Sequence, residues 1–162
     1  MKRLGAAAFL ALLSTLPAAA QPRSPLDLET TVLTLNADHL PKGLKRGGDE
    51  CSGKFAGCDF EAPGISYYVD DGDWIAIIKM TKVNGHFLQP LPYGLTEAST
   101  NADVRRAYNG LAITFNSESG DGSEIASGFV RVHDTGECYV DYTFGKDGRV
   151  NTAALRCALS TD

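Results

Sequence analysis

Three aspartates, Asp70, Asp71 and Asp73, surround Gly72, and carboxylates gathered at a turn are the oxygen donors that a hard cation such as calcium takes. The twelve-residue calcium-loop pattern with its closing glutamate is missing, and Asp-Gly is ordinary turn chemistry, so the group reads as a turn and no metal site is assigned. Glu118, Asp121 and Glu124 lie in a Ser/Gly-rich stretch that reads as a solvated hairpin tip. His39, His86 and His133 are scattered, with no His-Glu-x-x-His or His-x-His spacing, and His86 is expected to point to solvent. No Gly-x-Ser-x-Gly elbow occurs for a serine nucleophile. No spacing nominates the carboxylate pair of a glycoside hydrolase, although such pairs are made in three dimensions. The residues therefore argue against an enzyme and imply no cofactor.

Cys51, Cys58, Cys138 and Cys157 are four cysteines with three possible connectivities. Closeness in sequence favours Cys51–Cys58 and Cys138–Cys157. A zinc site would want Cys-x2-Cys knuckles, which gaps of six and eighteen residues do not supply. Closing the shorter loop contributes roughly 2–3 kcal/mol in the chain-entropy picture. The aromatics Tyr67, Tyr68, Trp74, Phe87 and Tyr93 crowd one region. Adjacent strand residues point to opposite faces, so one of Tyr67 and Tyr68 must leave the core side. Exposed aromatics are what protein-recognition patches use. Tyr68, Asp71, Trp74 and Tyr93 are accordingly the candidate binding residues. The alternative is that these rings cover the core.

Met1-Lys-Arg3, an apolar run from Leu4 to Leu16, and Pro17-Ala-Ala-Ala20 read in order as a bacterial secretory signal over residues 1–20. The run is too short to span a bilayer, and no later stretch is apolar enough to insert in a membrane. Gln21 rather than a cysteine follows the expected cut, so a lipid anchor has no acceptor. The expected product is soluble and periplasmic or secreted, where paired cysteines persist. Removing Lys2 and Arg3 leaves 13 basic residues against 20 acidic ones, a net charge near −7. That balance argues against nucleic acid and anionic membrane as partners and allows a basic one without implying it.

These groups have to be positioned by the remaining 142 residues, enough for one domain with a core. Residues 21–29 read as an extended leader and 30–162 as a single domain. Thr30–Leu35 alternates like a strand, and Asp38 to Gly64 reads as irregular, with at most a helical turn near Leu40–Lys45. Ile65–Val69 and Trp74–Met80 flank a turn, and the second run, apolar on both faces, belongs in the middle of a sheet. Asn84-Gly85 is the strongest hairpin signal. Thr100 caps a helix ending at Tyr108, with Asp103 completing a capping pattern, Val104, Ala107 and Tyr108 as its apolar stripe, and Asn109-Gly110 as a left-handed stop. Leu111, Ile113 and Phe115 alternate along a strand, Asn116 to Glu124 reads as a polar loop, and Ile125–Val132 follows. Cys138–Phe144 and Ala153–Cys157 form a hairpin around Gly145–Gly148. If Phe144 faces Arg149 there, Cys138 faces Leu155, and a direct Cys138–Cys157 bridge requires a β-bulge or a twisted end. The pattern predicts an α+β fold: an antiparallel sheet of seven or eight strands, one short helix packed on a face, and two disulfides.

Gly94-Leu-Thr, the capped helix Thr100-Asn-Ala-Asp-Val-Arg-Arg-Ala-Tyr108, its Asn-Gly stop, and Tyr142-Thr-Phe-x-x-Asp-Gly-Arg-Val150 occur in one order. Residues 91–157 thereby resemble small periplasmic domains of the SmpA/BamE type, whose fold is similar to that of β-lactamase inhibitory proteins. The resemblance implies a non-catalytic role in binding an envelope protein, and no site residue follows from it. The chain departs from that pattern in lacking a lipobox cysteine and in having strands, not a leading helix, over 30–89. The functional expectation is an exported protein-binding module, an inhibitor, immunity factor or assembly accessory, whose partner is another envelope or secreted protein. Contact is expected at the Cys51–Cys58 loop and the Asp70–Trp74 turn. A small-ligand carrier with a pocket between helix and sheet, near Val104, Tyr108 and Phe115, is the alternative. A cell-wall hydrolase ranks behind both.

Overall fold

Alternation of apolar and polar residues dictates most of the architecture, because a strand shows successive side chains to opposite faces. In the computed structural model, which describes residues 23–27, 35–48, 51, 54–109, 115–120, 123–132 and 136–159, one antiparallel sheet carries that alternation. Its strands are β1 (Lys45–Gly47), β2 (Cys58–Ala62), β3 (Ile65–Val69), β4 (Ile75–Thr81), β5 (Phe115–Gly120), β6 (Ser123–Val132), β7 (Gly136–Phe144) and β8 (Val150–Leu159). Their spatial order is β1-β2-β3-β4-β8-β7-β6-β5. The chain thus builds one meander outward to β4, crosses to the far edge, and builds a second meander back until β8 pairs with β4. The crossing segment, residues 82–114, holds the helix α1 (Asn101–Tyr108).

This arrangement overturns the expected α+β class. Eight strands stand against a single eight-residue helix, so the fold is an open, predominantly antiparallel β-sheet with one accessory helix. The number of strands is as expected, but which residues form them differs, and the stretch Asp38–Gly64, read as irregular, holds β1 and β2. Cys58-Asp-Phe-Glu-Ala62 is a strand with alternating burial, and the turn of helix lies at Ala37–His39 instead of Leu40–Lys45. The polar loop expected from Asn116 to Glu124 is largely the β5–β6 hairpin, with Gly120 opposite Ser123. Conversely, Asn84-Gly85 makes its tight turn, with φ of 51° and 86°, but supports only a Val83–His86 bridge. Pro90 and Pro92 follow too closely for a ladder to continue, since proline has no N–H to give it.

The inner face carries Tyr67, Val69, Ile78, Met80, Val140, Tyr142, Phe144, Ala153 and Leu155. β4 lies between β3 and β8, where its two-sided apolarity belongs. Leu26, in the stretch read as a leader, is fully buried in the same core. Of the strand expected over Thr30–Leu35 only Leu35 is described; its carbonyl accepts from the Ile75 N–H at 2.6 Å. The signal read over residues 1–20, and the strand start at Leu111 and Ile113, lie outside the described residues. No helix among the described residues is long and apolar enough to cross a membrane.

Both disulfides, Cys51–Cys58 and Cys138–Cys157, are closed, which fits an oxidising compartment. The bulge that the second bridge requires lies beside the turn. The register shifts between Thr143 and Phe144, so Phe144 faces Val150 and Cys138 stands directly opposite Cys157.

Helix α1 opens on a full capping box. The Thr100 hydroxyl accepts from the Asp103 N–H, and the Asp103 carboxylate accepts from the Thr100 N–H at 3.0 Å. Asn109 is still right-handed, and Gly110 lies outside the described residues. The helix start is tied to the β7–β8 hairpin by the Val150 N–H bond to the Ser99 carbonyl and by Arg149 on the Ala98 carbonyl. The backbone and hydroxyl donors of Thr100, with Arg106, hold the Asp103 carboxyl below its ordinary value. A depressed folded-state pKa gives stabilisation that is complete above the unfolded value, about 3.9, and lost as pH falls through the lower folded value. The gap in urea midpoint between wild type and Asp103→Asn should therefore be widest at neutral pH and shrink towards pH 2. A gap independent of pH would show that the box contributes nothing through charge.

Candidate binding cleft

Beyond the Asn84-Gly85 turn, the chain runs Phe87-Leu-Gln-Pro-Leu-Pro-Tyr-Gly-Leu95. Leu91 and Leu95 adopt extended backbone and are buried, pinning the segment at two points. Between them Pro92–Gly94 makes a 3-10 turn in which Tyr93 and Gly94 have φ of 56° and 73°. Glycine takes that region freely, whereas a tyrosine there costs roughly 1–3 kcal/mol and needs something to hold it. The holder is Tyr108: its ring meets the Tyr93 ring edge-on, with centroids 4.8 Å apart. Tyr108 in turn shares a 2.8 Å hydrogen bond with the Tyr142 hydroxyl in the core. Three tyrosines thus run from solvent to the sheet, one each from the 3-10 turn, α1 and β7.

Beside Tyr93 lies an open cleft of about 770 Å³, walled by Arg23, Ser24 and Asp27 on one side and by residues 87–97 on the other. Its rim combines apolar and charged groups. Leu88 is 54% exposed and Tyr93 40%. Glu97 receives His86 Nδ1 at 2.6 Å, a contact that ties the tight turn to the far end of the segment. That hydrogen bond is the largest of the causes holding the Glu97 carboxyl below its ordinary value, so the rim keeps its negative charge into mild acid. Burial first, and then the neighbouring phenol, pushes the Tyr108 hydroxyl far up; the Asp27 charge adds to this. Burial likewise raises Tyr142, and both phenols stay neutral donors and acceptors. Among the described residues there is no group of three metal-ligating side chains and no free cysteine. The arrangement can present an aromatic anchor between an apolar wall and a few charges.

The residues nominated from sequence do not form one patch. Tyr93 stands on the helix side of the sheet. Tyr68 is on the opposite face of β3, 37% exposed, while Tyr67 is the one turned inward. On that outer face Tyr68, Ile77, Arg156 and Tyr139 fall in one row across β3, β4, β8 and β7, with Arg156 paired to Asp141 at 2.9 Å. Asp71 is exposed in the β3–β4 turn. In that turn Asp70 Oδ1 accepts from the Gly72 and Trp74 N–H groups, as an Asx-type turn does. Trp74 is half-buried against the core and bridges to Asn36. Sequence reasoning missed Arg23, Asp27 and Leu88. The Pro-x-Pro spacing marked the turn at Pro92–Gly94, but no local signal marked Leu26 for burial or residues 23–27 as a wall of the cleft.

No family model, curated protein or solved structure matches the chain.

Two substitutions test this geometry. Trp74→Ala should lower stability by about 2 kcal/mol, below the roughly 3–5 kcal/mol of a fully buried ring. A thermal midpoint unchanged from wild type would show the indole to be surface. In a double-mutant cycle, Tyr108→Phe and Tyr142→Phe should couple by about 1 kcal/mol, the net worth of one buried hydroxyl pair. Additive losses in urea would show that the two hydroxyls do not act together.

Proposed function

We propose that this chain is an exported, periplasmic or secreted protein-binding module without catalytic activity, and that it docks its partner at the Tyr93 cleft. One observation carries the reading: Tyr93 is held in a strained, half-exposed conformation by a ring buried to the sheet. Strain at an exposed position persists only where the surroundings over-determine it, and such positions gather at binding sites. A ring fixed before contact spares a partner the ordering cost of binding, which is how pre-organised aromatic anchors gain affinity. The two disulfides and the signal-like start of the sequence support export. The likeness of residues 91–157 to SmpA/BamE-type domains points to an envelope protein as the partner.

The cleft and the Tyr93 turn replace the Cys51–Cys58 loop and the Asp70–Trp74 turn as the surface of choice. The carrier alternative would place its cavity beneath the helix, where Val104 and Tyr108 are fully buried, and the cleft lies to one side of them.

Tyr93→Gly decides the matter, because glycine accepts the backbone conformation while removing the ring. The variant should keep a cooperative melt and lose binding about tenfold or more, as a central aromatic anchor would. The readout is recovery of exported proteins on oxidised wild type, on Tyr93→Gly and on the opposite-face variant Tyr68→Ala. A partner retained by Tyr93→Gly and lost by Tyr68→Ala would move the site to the outer face, and no partner on wild type would remove the proposal.

A further inference from the structure

The two disulfides sit in different surroundings. Cys138 and Cys157 face each other across paired strands, both buried, with the ladder continuing on either side. Cys51–Cys58 instead ties Cys51 to the first residue of β2, and a guanidinium lies against it. Arg46 donates from Nε to Cys51 Sγ at 2.7 Å and from Nη2 to Cys58 Sγ at 3.1 Å. The β1–β2 register delivers this contact: Arg46 faces Phe60, and Cys58, two residues along on the same face, is its diagonal neighbour. Arginine stays charged at every physiological pH. Cys58 is fully buried, whereas Cys51 is half-buried. A cation beside a sulfur lowers the pKa of the thiol it becomes on reduction, and a thiol of lower pKa leaves faster in exchange.

We infer that Cys51–Cys58 is a thiol–disulfide exchange site, in which Cys51 takes the incoming thiolate and Cys58 departs as a thiolate on Arg46. An external thiolate attacks the accessible Cys51 sulfur. A new sulfur–sulfur bond forms to Cys51, the Cys51–Cys58 bond breaks, and its electron pair leaves on Cys58, where the Arg46 Nη2–H donates to it. The mixed disulfide resolves in either of two directions, the first restoring the Cys51–Cys58 bond and the second leaving it reduced. The Cys58 thiolate returns to Cys51 and expels the external thiolate, or a second external thiolate attacks the first external sulfur. In the second case two external thiols are oxidised to one disulfide, and Cys51 and Cys58 take up their two electrons and, once protonated, end as thiols. The reductant is a thiol, either a small one such as glutathione or a protein dithiol.

The full oxidised chain is treated with reduced glutathione and, separately, with a reduced protein dithiol. Samples are quenched in acid, and the free and mixed-disulfide cysteines are located by mass spectrometry. Cys51–Cys58 should open at thiol concentrations about tenfold or more below those that open Cys138–Cys157, with glutathione recovered on Cys51. Arg46→Gln should slow opening about threefold to tenfold, and Arg46→Lys, which keeps the charge, should restore part of the rate. The lysine variant separates charge from lost packing on β1. Opening by only one of the two reductants identifies the source of the thiol. Opening of both disulfides in parallel, glutathione on Cys58, an Arg46→Gln rate equal to wild type, or no opening by either reductant overturns the inference.

Discussion

The hydrogen-bonded contact between Tyr108 and Tyr142 is where the accessory layer is fastened to the sheet. β4 ends in mid-sheet and β5 begins at the far edge, so the intervening segment has to cross β8, β7 and β6, four strand spacings or about 19 Å. An eight-residue helix is not stable alone in water, and its capping box adds only a fraction of what it lacks. Burying a tyrosine ring of about 150–250 Å² contributes about 4–6 kcal/mol as an upper bound before entropy is charged. Tyr108 therefore holds the helix to the sheet.

Both ends of the crossing are constrained as well. At the helix start, Ser99 and Ala98 accept from Val150 and Arg149, so the β7–β8 turn sets where the helix begins. Upstream, buried Leu91 and Leu95 and the His86–Glu97 contact fix the segment that walls the cleft. The cleft follows from this geometry: Arg23, Ser24 and Asp27 approach from the other side because Leu26 is drawn into the core. A depression bounded by pinned backbone keeps its shape, which a pre-organised binding surface requires.

Legibility from sequence tracked how local each signal was. The helix start was readable because the capping box is made within four residues, and the central place of β4 because its residues are apolar on both faces. β2 was not readable. Cys58-Asp-Phe-Glu-Ala62 alternates, but its exposed positions are acidic, Gly57 and Pro63 flank it, and pairing with β1 and β3 makes it a strand. Asn84-Gly85 misled in the other direction: the turn chemistry was correct, but a hairpin also needs partners with N–H groups to donate, and Pro90 and Pro92 have none. The α+β expectation failed on proportion: it already counted seven or eight strands and one short helix, and eight helical residues are too few beside eight strands to make a helical layer. Tyr68 and Tyr93 were grouped because both are aromatic and near in sequence. One crossing connection put them on opposite sides of the sheet, which no local signal encodes.

Charge and covalent bracing divide the molecule in a similar way. The Cys138–Cys157 bridge reinforces a hairpin already held by its ladder, and its position depends on the register shift at Thr143–Phe144. The Cys51–Cys58 bridge ties Cys51 to the first residue of β2, beside the three-residue edge strand β1. A short edge strand bearing Lys45 and Arg46 resists pairing with another chain, since a basic edge is poorly suited to sheet extension. The same arginine that blunts the edge also reaches the two sulfurs, so one side chain serves both the edge and the bridge. Tyr93, on the helix side, takes its rigidity from aromatic packing and none from a disulfide. A change at the Cys51–Cys58 bridge can therefore act on the β1 edge while the tyrosine column continues to hold the cleft.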